Sequence, residues 1–413
     1  MNFKEQLRLY KEGKLSEAEA DAVKQEIEKQ EAISDYLYES VEIPELDGMD
    51  LSGKGAESGE PEEETTRFLT LIQKSIRKAF LKMGTAVAAV VLVLVLFIQF
   101  LLPHAVSAFY YDPTETVGVS SSGQMETNRM GLDLSVYTEL YHPLEHRNEV
   151  RVEPMGYGTY QVVIPQIVSF SGYKPHTVSG VLKRDRVLFY DEDAFLRPAG
   201  NSFVYPEGVK GLFADSYEDG EKVGPAGRSQ EAKAQLSALP DGEYVKGFVS
   251  LNRLTDYETF AKWIEEKGLE HHNLWCGVYT EGEDGRMLSE LAGFEMTGGG
   301  VCIDWDRERY PRLSLLDNES TEEIDRTDEA VMTQHVTSLL KYRADHPEFA
   351  EIMESRRNGG SDKTDPNVYE SMIDYIEQEG LSTYGFAVLA TKEELLELWE
   401  DPRVSYIFTE AVR

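Results

Sequence analysis

Two histidines are the first residues whose spacing could support chemistry. His142 and His146 lie four residues apart, which would place both imidazoles on one face of a helix, as in a metal site. Neither a third ligand nor a glutamate of the metalloprotease kind accompanies them. His271 and His272 follow a predicted helix, where their charge would complement the helix dipole. We therefore predict no metal site.

The remaining reactive groups also lack a catalytic arrangement. The glycine run 298–300 is not followed by the Lys-Ser/Thr of a phosphate-binding loop, so it predicts a turn or a bulge. No serine occupies a G-x-S-x-G elbow. Cys276 and Cys302 lie in apolar strands, where they could form a disulfide or remain buried free thiols. We predict no catalytic or cofactor-binding residues, and hence a protein that is not an enzyme.

The composition excludes several classes of protein. The 413 residues suffice for two or three domains, and a hydrophobic content of 41% supports a packed core. Lys and Arg total 41 against 75 Asp and Glu, which gives a net charge of −34 and argues against direct binding of nucleic acid. Two cysteines are too few for a disulfide scaffold or a four-cysteine zinc site.

One apolar segment sets the organisation of the chain. Met83 and Leu102 bound twenty consecutive uncharged residues, thirteen of which are Leu, Ile, Val or Phe. At about 1.5 Å per residue, a helix of this length measures about 30 Å, the thickness of the hydrocarbon core of a bilayer. Gly84 and Ala88, small residues four apart, permit close approach of a second helix. Residues 83–102 therefore predict a single transmembrane helix.

The charges beside this segment predict its orientation. Basic residues cluster before the span, whereas no Lys or Arg follows it until Arg129. Because basic residues are retained on the cytoplasmic side, we predict a cytoplasmic N-terminus, a cell-membrane location and an extracellular C-terminal part. The basic residues before the span are Arg67, Lys74, Arg77, Lys78 and Lys82.

Residues 1–41 predict a small all-α cytoplasmic head. A capping box formed by Ser16 and Glu19 starts a helix that continues to about residue 40. Its apolar side chains form a narrow stripe that two short helices cannot bury by themselves, so the stripe predicts a binding surface for a partner protein. The predicted contact residues, the first from the preceding short helix, are Leu7, Val23, Ile27, Tyr36 and Leu37.

Two further segments connect the head to the span. Residues 42–66 are rich in Gly, Pro and acidic residues, which is typical of a flexible acidic linker. Residues 67–82 mix apolar and basic residues, which predicts a juxtamembrane amphipathic helix lying on anionic headgroups before the chain turns into the membrane.

The part after the span predicts an α+β fold. Residues 103–225 form a membrane-proximal region, in which Tyr110 and Tyr111 are expected to anchor at the interface, and residues 226–413 form a C-terminal α+β domain. The acidity of this part argues against docking flat on anionic lipid. Strands are predicted at 159–164, 178–183 and 187–190, and helices at about 321–343, 346–356 and 366–378.

Two strand–helix–strand units are predicted within residues 226–413. Thr255 and Thr391 are the expected N-caps of their helices, each within a capping box. Trp263 and Trp399 each follow eight residues later, so the units form either an internal repeat or two motifs that are alike by chance. The predicted segments are strands 244–251 and 273–279 around helix 259–267, and strands 384–389 and 404–412 around helix 395–400.

The order of segments along the chain resembles a known family. FKEQLRLYKEGKLSEAEADAVKQEIEKQEAISDYL is similar to the head of the transmembrane anti-sigma factors of Firmicutes, the sigma factor regulators that include an inhibitor of sigma-M. The span with TNRMGLDLSVYTELYHP resembles their membrane-proximal region. GEYVKGFVSLNRLTDYETFAKWIEEKGL and VYESMIDYIEQEGLSTYGFAVLATKEELLELWEDPRVSYIFTEAV resemble their C-terminal regulator domain.

The resemblance implies a membrane-anchored anti-sigma factor. The head would sequester an extracytoplasmic-function sigma factor through its apolar stripe, and the outer domain would sense envelope stress and release that factor, by proteolysis or by rearrangement. The implied partners are this sigma factor, the lipid bilayer and a second small membrane protein. The alternatives are a single-pass receptor for a cell-wall component or a partner protein, without sigma-factor binding, and an outer-surface enzyme.

Overall fold

The computed structural model forms two compact units, Met1–Ala86 and Val87–Arg413. In the first unit, the described residues of the region 20–29 are helical. The structure describes residues 20–21, 23–25, 28–29, 61–119, 126–147, 150–167, 176–191, 202–211, 225–289, 291–296, 305–315, 324–355 and 367–411.

A long apolar helix connects the N-terminal part to the rest of the chain. Helix α1 spans Pro61–Leu96, continues into a π-helical turn, Phe97–Leu101, and ends in a short helix, α2, Leu102–Ser107. The expected turn between a juxtamembrane helix and the span is not present, because α1 runs through both without a break. Helical structure also includes residues 61–66 of the predicted linker.

The globular region begins with a hairpin and a core helix. Strands β1, Thr116–Val119, and β2, Glu126–Asn128, pair antiparallel, and helix α3, Arg129–Tyr141, follows directly. The Asn128 side chain caps α3 by accepting the Gly131 N–H at 2.8 Å. Nearly every side chain of α3 is buried, so this helix belongs to the core.

The first antiparallel sheet has the strand order β3-β5-β6-β7, with β4 also paired to β5. Along β5, Tyr160, Val162 and Ile164 are buried whereas Gln161 is exposed, the alternation of a strand with one covered face. The three strands predicted here are confirmed. Their bounds, with those of the two unpredicted strands, are β3 His146–Arg147, β4 Arg151–Gly156, β5 Thr159–Ile167, β6 His176–Lys183 and β7 Arg186–Phe189.

The second antiparallel sheet has the order β10-β9-β11-β8-β12. Its central pair, β11 and β8, runs from Ser382 opposite Asp256 to Thr391 opposite Tyr244. Both strands are buried over most of their length, which places the core around them. The strands are β8 Tyr244–Asp256, β9 Leu274–Gly277, β10 Gly293–Glu295, β11 Ser382–Thr391 and β12 Val404–Ala411.

Two strand–helix–strand units build this sheet, and they interleave. The first is β8, helix α5 (Tyr257–Glu266) and β9; the second is β11, helix α9 (Lys392–Trp399) and β12. β11 lies between the two strands of the first unit, and β8 lies between the two strands of the second. This is the split βαβ arrangement of ferredoxin-like folds, with other elements inserted between β9 and β11.

The described part of the globular region contains four more helices. Helix α6 packs against α8, and α3 packs against both β10 and α6, so residues before and after position 226 contribute to one hydrophobic core. α6 begins well after the predicted position 321, because Asp328 caps it by accepting the Ala330 N–H. The helices are α4 Pro225–Ser237, α6 Glu329–Asp345, α7 Pro347–Ser355 and α8 Asn367–Glu379.

Of the two helix caps predicted in these units, one is confirmed and the other is wrong. Thr391 and Glu394 form the expected capping box at the start of α9. The cap of α5 is Asp256, which accepts the Thr259 N–H at 2.9 Å, because β8 continues past Thr255. Trp263 therefore lies seven residues after its cap rather than eight, and the matching tryptophan positions lose their value as a sign of a repeat.

Candidate functional site

The predicted contact stripe of the head is described at one residue. Val23 is 5% exposed, whereas its helical neighbour Gln25 is exposed, as expected for one covered helix side. Val23 is thus covered in the free chain, and its contact with a partner stays a prediction. The other four predicted residues lie outside the described residues: Leu7, Ile27, Tyr36 and Leu37.

The apolar helix carries the features expected of a membrane span. From Met83 to Leu101 every side chain is exposed, and Leu102 is half-buried. Within the part of the chain that the structure describes, Thr70–Ser107 is the one helical stretch long and apolar enough to cross a bilayer. Such an uninterrupted apolar surface would be unfavourable in water, so the span is consistent with a membrane anchor.

The end of this helix is held by a hydrogen bond from the globular region. In the π-helical turn a carbonyl pairs with the N–H five residues later, as the Phe97 carbonyl does with the Leu102 N–H. The next carbonyl, that of Ile98, would need the N–H of residue 103. That residue is Pro103, which has no N–H. The Tyr157 hydroxyl supplies the missing bond, donating to the Ile98 carbonyl oxygen at 2.8 Å. A carbonyl that would be costly to leave unpaired in an apolar environment is thereby satisfied.

The Tyr157 hydroxyl reaches the helix from the β4–β5 turn. Gly156, Tyr157 and Gly158 all have positive φ angles, of 85°, 56° and 67°. A Cβ atom at Gly158 would lie 2.8 Å from the Tyr110 ring, so this turn requires glycine for close approach. The Gly158 N–H also donates to the Ser107 hydroxyl at 2.9 Å.

The neighbouring Tyr110 and Tyr111 differ from what we expected. Tyr110 packs on the glycine turn, whereas Tyr111 is 7% exposed and donates its hydroxyl to the Asp133 carboxylate. Tyr111 therefore belongs to the core of the globular region and cannot act as an interfacial anchor. The aromatic side chain missed by the sequence prediction is Tyr157. A signal for it existed, since a G-Y-G turn and a proline after an apolar span are both visible in the sequence.

A second notable group of polar side chains lies inside the globular region. The Glu139 carboxylate of α3 faces the His335 ring of α6, with Oε1 to Nε2 at 2.8 Å, and also lies 3.4 Å from the backbone nitrogen of Glu295. Glu295 itself is 1% exposed, and its Oε1 accepts the Leu144 N–H at 3.0 Å. Its Oε2 is buried and has no hydrogen-bond partner among the residues that the structure describes. Burial and the charge of Glu139 raise the pKa of the Glu295 carboxyl well above its usual range.

This cluster contains a carboxyl group with a raised pKa but lacks the geometry of a catalytic centre. The Glu139 carboxylate, the Glu295 carboxyl and the His335 ring are all buried, and the His335 Nδ1 is occupied by the Arg312 carbonyl at 2.6 Å. The three groups come from α3, β10 and α6 and link these elements inside the core. Among the described residues no group of three or more His, Cys, Asp or Glu side chains is placed to hold a metal ion.

The other sequence candidates occupy separate positions. His142 is buried, while the side chain of His146 and the glycine run 298–300 lie outside the described residues. His272 bonds to Glu394 of the α9 capping box at 3.0 Å, a contact between the two interleaved units that sequence reasoning did not find. It therefore does not serve the helix end for which it was predicted.

Cys276 lies on β9 as a buried free thiol. Burial raises the pKa of this thiol to about 12, so it is unreactive near neutral pH. Cys302, the other cysteine of the possible disulfide, lies outside the described residues, so the structure describes only the free thiol of Cys276.

Comparisons with known proteins agree with the predicted family. Residues 236–410 match the family model described as sigma factor regulator C-terminal, which covers the interleaved sheet. Over 408 residues the chain is 21% identical to the probable anti-sigma-M factor YhdL of Bacillus subtilis (strain 168), covering 97% of this chain and 95% of that protein. No solved structure matches. Together the two matches support an anti-sigma factor family, whose members are regulatory.

Proposed function

We propose that this chain, whose matches support an anti-sigma factor family, is a membrane-anchored inhibitor of an extracytoplasmic-function sigma factor. The head holds the sigma factor at the membrane through the apolar stripe, and the globular region controls its release in response to envelope stress. The observation that carries the proposal is the collinear likeness to an anti-sigma factor over 97% of the chain, with the apolar helix between head and globular region.

The physical chemistry of the head supports this role. An acidic helical surface with an apolar stripe complements the basic and apolar surfaces through which sigma factors bind DNA and polymerase. The basic residues before the span support a cytoplasmic N-terminus and hence access to a sigma factor. A second small membrane protein as an additional partner stays a prediction.

A single substitution in the stripe tests the proposed binding. Ile27→Asp places a charge in the apolar stripe and should abolish co-purification of a sigma factor with the full chain from membranes. Transcription from that factor's promoters should then rise several-fold. The matched control is Gln25→Asp, which adds the same charge at an exposed position of the same helix and should leave both readouts unchanged.

Two results would contradict the proposal. One is a full chain that recovers no sigma factor from membranes. The other is a deletion strain in which no single promoter class is raised, because a wall-binding receptor would give that result. Protease protection of the N-terminus in sealed cells tests the orientation separately.

A further inference from the structure

One surface of the globular region lies level with the end of the membrane span. The Tyr157 hydroxyl bonds the Ile98 carbonyl, and Ile98 lies four residues before Leu102, the last residue of the apolar segment. At about 1.5 Å per residue, the bonded carbonyl is about 6 Å inside that end. If the helix spans a bilayer as proposed, the β4–β5 turn must therefore lie at the boundary between hydrocarbon and headgroups.

Two large apolar side chains near this turn are uncovered. Phe109, just after α2, is 85% exposed, and Met155, beside the glycine turn, is 63% exposed. In water these side chains would gain nothing from exposure, whereas at the boundary of a bilayer each can bury its apolar atoms. The Tyr157 side chain, one third exposed, is of the aromatic type enriched at that depth.

The adjacent β6–β7 turn is basic in a chain that is strongly acidic overall. Lys183, Arg184 and Arg186 are exposed, and among the described residues their side chains form no ion pair. The one acid of the turn, Asp185, accepts the Tyr111 N–H at 2.9 Å. This turn is attached to the glycine turn, since the Arg184 N–H donates to the Gly158 carbonyl at 2.8 Å. The turn that carries these three cations is thus held against the β4–β5 turn that carries Tyr157.

We propose that these two turns form a docking surface for the anionic phospholipid headgroups of the bilayer that α1 crosses. The surface consists of Phe109, Met155, Tyr157, Lys183, Arg184 and Arg186. Its apolar side chains enter the interface, and its cations bind headgroup phosphates. The net acidity of the chain opposes flat docking, so contact is restricted to this basic edge. The proposal rests on the membrane anchoring proposed above and adds a lipid partner for the globular region.

Hydrogen exchange of the full chain in lipid nanodiscs tests the proposal. The discs contain phosphatidylcholine alone or phosphatidylcholine mixed with phosphatidylglycerol. Exchange of the backbone amides in segments 155–158 and 183–186 should be slower in the anionic discs, and high salt should remove the difference. Each basic residue near an anionic surface strengthens binding about fivefold, so neutralising three should weaken docking by about a hundredfold.

The decisive variant is Lys183→Gln/Arg184→Asn/Arg186→Gln. Asparagine is chosen at 184 because that residue has a positive φ of 49°, which asparagine tolerates. The matched control removes three exposed cations elsewhere: Lys210→Gln/Arg253→Gln/Lys341→Gln. Both variants should unfold at the parental temperature in detergent, which separates loss of docking from loss of folding.

The outcomes separate docking from anchoring. Lipid-dependent protection that disappears in the turn variant and persists in the control supports the proposal. Equal exchange in both lipids, or protection retained by the turn variant, overturns docking while leaving the anchor intact. A chain that alkaline treatment extracts from membranes overturns anchoring and docking together.

Discussion

Glu295 is a carboxyl group whose surroundings favour its neutral form. It is buried beside the Glu139 carboxylate, and the groups that would favour its charge are the Leu144 N–H and the Lys246 ammonium. The Lys246 Nζ is also 3.3 Å from Glu145 Oε1, which limits its effect on Glu295. The His335 ring bonds to Glu139 of the same cluster.

The raised pKa of Glu295 makes the folded state bind a proton that the unfolded chain releases. Stability therefore falls as the pH rises from the ordinary glutamate pKa towards the raised one. Every tenfold difference in proton affinity between the two states corresponds to about 1.4 kcal/mol. Glu295→Gln removes this titration, so thermal unfolding of the variant between pH 5 and pH 8 should depend less on pH than that of the parent chain.

A surface substitution provides the control for this measurement. Glu308→Gln removes an exposed carboxylate from the same globular region and should keep the parental pH dependence. If the unfolding temperature of both variants changed with pH as steeply as that of the parent chain, the buried carboxyl of Glu295 would not hold a proton.

At the scale of elements, the two interleaved units share one feature: the last residue of the first strand is also the N-cap of the following helix. β8 ends at Asp256 and β11 ends at Thr391, and both residues cap the following helix. An N-cap side chain satisfies a backbone N–H that the helix itself leaves unpaired, and its loss costs about 0.5–2 kcal/mol.

This assignment predicts an asymmetry between two adjacent residues. Asp256→Ala should lower the free energy of unfolding by about 1 kcal/mol, because it removes the acceptor for the Thr259 N–H. Thr255→Ala should cost clearly less, because the one partner of the Thr255 hydroxyl within the described ranges is the Arg253 carbonyl, at a long 3.3 Å. Urea unfolding of both variants measures the difference. Equal losses of unfolding free energy in the two variants would contradict the assignment of Asp256 as the cap and would favour Thr255, as predicted from the sequence.

The same elements show where sequence patterns stop being informative. Strands such as β5 alternate buried and exposed residues and are predictable, because one face is covered and the other is not. Helix α3 is buried all round, so it has no polar face to reveal a helical period, and the sequence did not predict it. The interleaving of the two units depends on pairing between β8 and β11, more than a hundred residues apart, which local patterns do not encode.

In the candidate sites, too, local features could be predicted from the sequence, whereas contacts between distant segments could not. The apolar helix could be found from composition alone, because an uncharged apolar run of twenty residues is rare outside membrane spans. The missing donor at Pro103 is likewise visible in the sequence. The G-Y-G turn that carries Tyr157 is visible too, but its contact with the helix is not, because that turn lies 54 residues after Pro103 in the chain. The Glu139–Glu295 cluster is hidden for the same reason, since its two acids come from distant elements.

At the scale of the whole molecule, the long apolar helix and the globular region are connected by Tyr157 as well as by the chain itself. Tyr157→Phe keeps the ring and removes the hydroxyl that donates to the Ile98 carbonyl. The unpaired carbonyl should cost about 1–3 kcal/mol. Hydrogen exchange of the segment 155–159 should therefore become faster in nanodiscs. Tyr190→Phe, at a tyrosine that is 65% exposed, serves as the control and should leave that exchange unchanged.

A second substitution determines whether the missing proline N–H is the cause. Pro103→Ala returns a backbone donor one residue after Leu102, where the π-helical turn can direct it to the Ile98 carbonyl. The free energy lost through Tyr157→Phe, measured by hydrogen exchange of the segment 155–159, should then be smaller in the Pro103→Ala background than in the parent chain. A double-mutant cycle on these two positions measures this coupling directly. Additive effects would mean that Tyr157 does not compensate for Pro103, and that the hydroxyl is held there for another reason.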